Sequence, residues 1–426
     1  MNRFLSLSVG CVFWLTVLHA APNPEPFPKP PNIKGLQVQM TSDALSLGIH
    51  HAAINVNLSA LLDLSGQPGN PTRTVGTHTF GFNRVYLESL DKQIKPLSDA
   101  GVVVYAILLA YPTKDPEKDA ILLHPGHRKD YKFGIGGFNA GTEIGRAWTI
   151  AVTELLAERW SGRDSSHGRV WGWIVGNEVN SHFQWYNIGN VTLEEATESY
   201  ARAFRLFHQS LRKSSASARL YISFDHHWSI GMHNVDPLEA KTGRGFLDAF
   251  AAAIRREGDL DWHVAWHPYP EDLGNPRTWN DPTVTREAST PKITFKNLEV
   301  LAAYLKRPEL LYQGSPRRII LSEQGFHTLG LPDGEKIQAA AFAYAWEKCQ
   351  RVPLVDAFIY HRHVDHAHEG GLRLGLWRNK PGSIADPAAK KEIYDLFQKA
   401  GTPAWNEAAA ALLPTTGLRT WDDLGK

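Results

Sequence analysis

The sequence has little of what would tie it to a disulfide framework, a nucleic acid or a membrane. It carries two cysteines in 426 residues, Cys11 and Cys349. Cys11 lies inside an apolar N-terminal run from Leu5 to Leu18, so removal of that run leaves Cys349 alone and no internal disulfide can form. Stability must then come from a large hydrophobic core. Charge of one sign is also missing: 45 Lys and Arg face 44 Asp and Glu, which leaves no electrostatic footprint for nucleic acid or an anionic membrane. The apolar run falls short of the ~20 residues that a membrane-spanning helix needs. With Arg3 before it and Ala20 and Ala21 after it, it reads as a secretory signal peptide over residues 1–21, and the mature protein is expected in the periplasm or outside the cell. No internal repeat or low-complexity tract appears beyond a Pro-rich stretch over residues 22–34, whose composition predicts an extended spacer.

What the chain does have is aromatic weight and a regular alternation. Its 14 Trp supply flat apolar faces able to cover the C–H face of a sugar ring, although most could equally belong to a core. From Ile33 onward, short β-branched runs alternate with longer stretches of helical periodicity, the mark of βα units and a parallel sheet. The runs predict strands at 36–40, 52–58, 102–109, 170–176, 220–224, 262–266, 319–321 and 357–360. Helices are expected at 84–99, 142–160, 193–213, 246–256, 295–305, 335–350 and 388–399, with a short turn at 42–47. Thr192 and Glu195 form a capping box ahead of Ala196, Tyr200, Ala203 and Phe207, which keep helical spacing. Eight such units close most simply as a single-domain (β/α)8 barrel over residues 35–400; a doubly wound open sheet is the alternative. Residues 401–426 stay unassigned, and the stretch from Tyr111 to Asn139 reads as a long loop carrying substrate contacts.

Catalytic groups of such barrels sit at the C-terminal ends of strands. Strand four ends in Asn177-Glu178, strand six in His267-Pro268-Tyr269, strand seven in Ser322-Glu323-Gln324-Gly325 and strand eight in His361-Arg362-His363. Two carboxylates on one rim can meet the requirement of a retaining glycosidase for carboxyls about 5–5.5 Å apart, one to protonate the leaving oxygen and one to attack the anomeric carbon. In these motifs the sequence resembles the clan A retaining (β/α)8 glycoside hydrolases, and within them uncharacterised bacterial members. The resemblance implies a β-glycosidic substrate and no cofactor. It also implies that Glu178 is acid/base, Glu323 nucleophile, Asn177 a ligand of the sugar 2-hydroxyl, and His267 or Tyr269 the group that positions the nucleophile. The chain departs from better-known members in lacking an arginine at the end of strand two, and in ending strand eight with His-Arg-His in place of a tryptophan. His361 and Arg362 are therefore expected among the substrate contacts, Arg362 also as a donor to Glu323. Trp185, Trp228, Trp266 and Trp377 follow or flank strand ends and are candidate sugar platforms, whereas Trp148, Trp160 and Trp346 fall on helices and read as core.

Two other functions fit the same barrel. A metal-dependent hydrolase could draw ligands from His226, His227, His361, His363, His366 and His368 with Asp225 and Asp365. The arrangement it would most resemble needs His-x-His on the first strand, where alternate residues share a face; His50 and His51 are adjacent and point apart. A non-catalytic carbohydrate-binding barrel would be marked by a missing glutamate, and neither is missing.

Overall fold

Each of the eight apolar runs forms a strand in the computed structural model, which describes residues 21–131 and 134–425. The expected signal peptide lies, but for Ala21, outside the described residues. The strands are β1 (Lys34–Gln37), β2 (His51–Asn57), β3 (Val103–Leu109), β4 (Gly172–Val175), β5 (Arg219–Phe224), β6 (Trp262–Trp266), β7 (Ile319–Leu321) and β8 (Val355–Tyr360). They pair in parallel in chain order, and β1 pairs with β8 to close the barrel. The open-sheet alternative is thereby set aside. The helices packed around it are α1 (Thr41–Ser46), α2 (Arg84–Asp99), α3 (Glu143–Arg159), α4 (Leu193–Arg212), α5 (Gly243–Arg256), α6 (Glu299–Tyr304), α7 (Gly334–Gln350) and α8 (Glu392–Lys399).

Local chemistry sets these boundaries. The capping box of α4 is formed on both sides: the Glu195 amide donates to Thr192 Oγ1 at 3.2 Å, and the Thr192 amide to Glu195 Oε2 at 2.8 Å. Such a cap is worth about 1 kcal/mol. The helix then buries Ala196, Tyr200, Ala203 and Phe207, and the Tyr200 hydroxyl donates to the Val175 carbonyl at 2.7 Å. That bond ties α4 to the strand that carries Glu178.

One apolar cluster fills the space between strands and helices, and a second fills the barrel itself, with Val103, Tyr105, Ile107, Ile174, Tyr221, Ile320 and Ile359 pointing inward. Tyr105 and Tyr221 meet edge-on, 5.8 Å between ring centroids. Gly172 makes room for them, because a Cβ there would stand 2.0 Å from Tyr105 Cδ1. Below them Phe27 meets Trp171 edge-on at 5.9 Å, and the Arg219 guanidinium lies 4.0 Å from the Phe27 ring centre. The bottom of the barrel is stoppered.

The Pro-rich stretch therefore differs from a free spacer. It is extended, but the Asn23 amide donates to the Ser214 carbonyl at 2.9 Å, Glu25 pairs with Arg169, and Phe27 supplies the stopper. Proline holds a chain extended at low entropic cost, and a single aromatic ring is enough to anchor it. Other departures are local. Residues between β2 and α2 form a three-stranded antiparallel sheet (Leu62–Asp63, Thr72–Val75, His78–Phe82). Helix α6 is preceded by a 3-10 turn, Phe295–Asn297, and residues 387–390 pair with Trp377–Asn379 ahead of α8. The segment after Ala400 is helical in short pieces and packs on α7, with Trp405 5.6 Å from Trp346.

Candidate active site

The chain leaves β4 through a strained turn. Gly176 has φ +79° and Glu178 φ 38°, the left-handed region that costs a side chain energy and that recurs at functional sites. Any Cβ at Gly176 would stand 2.7 Å from the Tyr186 ring. The turn drives the Glu178 side chain over the barrel mouth, where its amide donates to Ser223 Oγ on β5 at 3.1 Å. A short 3-10 turn, Val179–Ser181, then sends Asn180 and Ser181 onto Asp225.

Glu178, Glu323 and His267 converge above the barrel. One carboxylate oxygen of each glutamate and one ring nitrogen of His267 all lie within 4.8 Å of one another. His267 Nδ1 is 2.8 Å from Glu178 Oε1, and its Nε2 is 3.0 Å from Ser322 Oγ and 3.4 Å from Ser223 Oγ. The Tyr269 hydroxyl donates to Glu323 Oε1 at 3.2 Å. His267 thus serves Glu178 and Tyr269 serves Glu323, a division that the motif alone left open.

The surroundings separate the two carboxyls. Glu178 is 8% exposed, and burial, helped by the charges of Asp225 and Glu323, pushes its carboxyl up to about 7 against the pull of His267. His267 is also raised: burial opposes its charged form, but the hydrogen bond to Glu178 and the charges of Glu323, Glu178 and Asp225 overcome it. The pair therefore holds a proton along its hydrogen bond near neutrality. Burial and the Glu323 charge raise the Tyr269 phenol well above its ordinary value, so it stays a donor. Asp225 stays ionised. Burial works against its charge, but His227 outweighs it, with His227 Nδ1 at 2.9 Å and Asn180 Nδ2 at 2.6 Å.

The site opens into a cavity of about 390 Å³ lined by Asn177, Trp185, Tyr269, His361 and Arg362 together with both glutamates. On one side the ends of β1, β2 and β8 build a polar wall. Gln37 lies against His361 Nδ1 and donates to Asn55 Oδ1 at 3.1 Å, while Glu369 faces His361 Nε2 at 3.3 Å and takes Arg362 Nη2 at 2.7 Å. His361 and Arg362 hold the Glu369 carboxyl at about 2, against the upward push of burial. Arg362 is thus bound to Glu369, and the expected bond to Glu323 comes from Tyr269 instead. The loop from Tyr111 contributes Tyr111 and Ile135 to the lining.

Three of the candidate tryptophans are not brought here, and Trp266 is one of them, fully buried with its Nε1 donating to the Ile293 carbonyl at 3.1 Å. Trp228 is fully buried: its Nε1 donates to the Ala288 carbonyl at 3.0 Å, and its ring packs on Trp266 and Tyr304. Trp377 lies beyond the mouth, donating to Asp43 Oδ2 at 3.0 Å and packed edge-on against Tyr394. Trp228 is core and Trp377 is half-buried, and neither lines the cavity. Nor do the histidines of strand eight converge, since His361 faces the cavity while His363 Nε2 sits 2.8 Å from Asp43. Among the described residues, Glu178, His267 and Glu323 form the group able to meet on one ion. Motif reading passed over Gln37, Asn55 and Glu369; the first two could have been found as polar residues closing apolar strands, whereas Glu369 belongs to a loop and carries no such signal.

Residues 26–424 match a family described as a family of unknown function (DUF5722). No curated protein matches. Among solved structures, the chain is similar to a family 39 glycoside hydrolase from the gut symbiont Bacteroides cellulosilyticus WH2, with TM-score 0.55 and 14% identity over 91% of this chain and 66% of that one. It is also similar to a hyperthermophilic β-glucosidase from Pyrococcus furiosus (0.53, 12%, 88% and 86%) and to a family 1 β-glucosidase from Thermotoga maritima (0.51, 13%, 84% and 84%). At these identities what is shared is the fold, a (β/α)8 barrel. The chain spans slightly less than two thirds of the family 39 enzyme's length.

Proposed function

The chain belongs to DUF5722, a family of unknown function that brings no activity with it, and we propose that it is a retaining glycoside hydrolase acting on a β-linked sugar. The observation that carries this reading is the approach of two carboxyls, one oxygen of each within 4.8 Å of the other, in unlike surroundings, one buried and proton-retaining, the other bonded to a phenol. Retaining enzymes need about 5–5.5 Å between carboxyls, whereas inverting ones leave about 6.5–9.5 Å for a water.

The reaction is a double displacement. Glu323 attacks the anomeric carbon, the bond to the leaving oxygen breaks, and the Glu178 proton passes to that oxygen. Glu178, now a carboxylate, takes a proton from water; the water oxygen bonds to the anomeric carbon and Glu323 is released. Tyr269 orients Glu323, and His267, held by Ser322 and Ser223, fixes Glu178. Asn177 is assigned to the sugar 2-hydroxyl, and Gln37, Asn55, His361 and Glu369 to the remaining hydroxyls. Trp185, on the Glu178 side of the cavity, is assigned as a platform for a ring of the substrate. The steps call on no cofactor, and the sequence pattern of residues 1–21, read as a signal peptide, fits export as the setting for a carbohydrate substrate.

The test is to incubate the protein with a panel of β-linked glycosides and polysaccharides and to read the first-formed anomer by proton NMR. A β product is expected. An α product would make the enzyme inverting and remove Glu323 as nucleophile, and no reaction on any member would contradict the hydrolase reading.

A further inference from the structure

The proton of Glu178 must reach the leaving oxygen, so the leaving group lies on the Glu178 side of the cavity, against the loops that follow β4, β5 and β6. The sugar that is released first onto Glu323 lies toward β1, β2 and β8. These two walls differ in chemistry. The second is largely polar, built from Gln37, Asn55, His361, Arg362, His368 and Glu369, with Leu372 and Leu374 as its apolar members. The first holds Glu178 among Asn177, Gln184, Asp225, His226 and His227, and adds Trp185, Met232 and Leu273, an indole and two flexible apolar side chains.

The apolar surface continues outward on that side only. Met232 is shared with an adjoining cleft of about 530 Å³ between the β4 and β5 loops, lined by Leu193, Val235, Pro237 and Leu238. Seven large hydrophobic side chains are exposed among the described residues, and four of them, Leu193, Ile230, Leu238 and Leu273, belong to the segments that follow β4, β5 and β6. Exposed apolar residues scattered singly need no explanation, but a cluster continuous with a cavity marks a binding surface.

Resting on the hydrolase reading, we propose that the leaving group is an apolar alcohol. The substrate class is then β-glycosides of hydrophobic aglycones, whose aryl or alkyl part leaves the cavity past Met232 into the cleft at Leu238, and not chains of sugars. Each methylene buried there is worth up to about fourfold in kcat/KM.

The experiment uses the full chain in two steps. A panel of 4-nitrophenyl β-glycosides identifies a sugar that is turned over; if neither these nor β-linked disaccharides and polysaccharides react, the hydrolase reading falls and this proposal with it. With the sugar found, methyl and hexyl β-glycosides are compared with the β-linked disaccharide of the same sugar. Hexyl should exceed both by at least about tenfold in kcat/KM, given the transfer value of a methylene. Met232→Asp and Leu238→Asp should each lower the hexyl-to-methyl ratio severalfold, and Met232→Leu should keep it. A ratio near one in the unmodified protein, a preference for the disaccharide, or variants that leave the ratio unchanged would overturn the aglycone assignment while leaving the hydrolase reading intact.

Discussion

Replacing Glu178 by glutamine should make the protein more stable at mildly alkaline pH while removing its turnover. Glu178 is 8% exposed, and burial raises its carboxyl from 4.5 to about 7. In the unfolded chain the group ionises near its ordinary value; in the folded chain it holds its proton until the pH passes about 7. A group that binds its proton more tightly when folded takes stability away as the pH rises between those two values. Below about 4.5 there is no loss, and above about 7 it levels off at about 3 kcal/mol, since each step of one in pKa is worth about 1.4 kcal/mol. Glutamine has the same shape, cannot ionise, and can keep the contact with His267 Nδ1. Urea unfolding should therefore show the variant ahead by up to about 3 kcal/mol at about pH 8, and the two proteins coinciding at about pH 4. A variant of equal or lower stability at the higher pH would refute the burial argument.

Three further outcomes follow from the same geometry. Tyr269→Phe removes the one phenolic donor to Glu323; a hydrogen bond to a charged group is worth about 1.5–3 kcal/mol, so kcat/KM should fall about 10- to 100-fold with the fold intact by circular dichroism. His267→Leu removes the hydrogen bond and charge that hold the Glu178 carboxyl down, so the fall of kcat/KM with rising pH should move to higher pH; an unmoved limb would disconnect His267 from the acid. Arg317 is fully buried, its Nη2 bonds both oxygens of Asp259 at 2.9 and 2.7 Å, its other nitrogens donate to the Leu310 and Leu260 carbonyls, and it stacks 4.2 Å from the Trp262 ring centre, so Arg317→Met, which removes those donors, should cost about 2–4 kcal/mol in urea unfolding.

The barrel was legible because its strands are buried on both faces and so read as unbroken apolar runs, as Val103–Leu109 does. The sheet after β2 was not: Thr72–Val75 is four residues long and alternates exposed with half-buried positions, a pattern shared with loops. Phe27 stoppers the barrel through Trp171 and Arg219, partners more than a hundred residues away that no local signal connects to a Pro-rich stretch. In the site, Glu178, Glu323, His267 and Tyr269 could be read because strand order and motif coincide at each. Tryptophan identity says nothing of which way the ring turns, and of the candidates only Trp185 lines the cavity while Trp228 is buried in the core and Trp377 packs on Tyr394. Asp225 was visible at the end of β5 among histidines and suggested a metal ligand; its four donors, from Asn180, Ser181 and His227, make it a fixed buried charge beside the acid. Glu369 depends on how the loop after β8 folds back onto His361 and Arg362, which a sequence pattern does not carry.

The central claim is that Glu323 forms a covalent bond to the sugar. It is tested most directly by exposing the protein to 2-deoxy-2-fluoro-β-glycosyl fluorides of several sugars, which slow release of a glycosyl-enzyme, and mapping the adduct by peptide mass spectrometry. The account predicts one sugar per chain, on the peptide containing Ser322-Glu323-Gln324, and none in Glu323→Gln. An adduct on any other residue, or turnover of β-glycosides with no adduct from the same sugar, would contradict it.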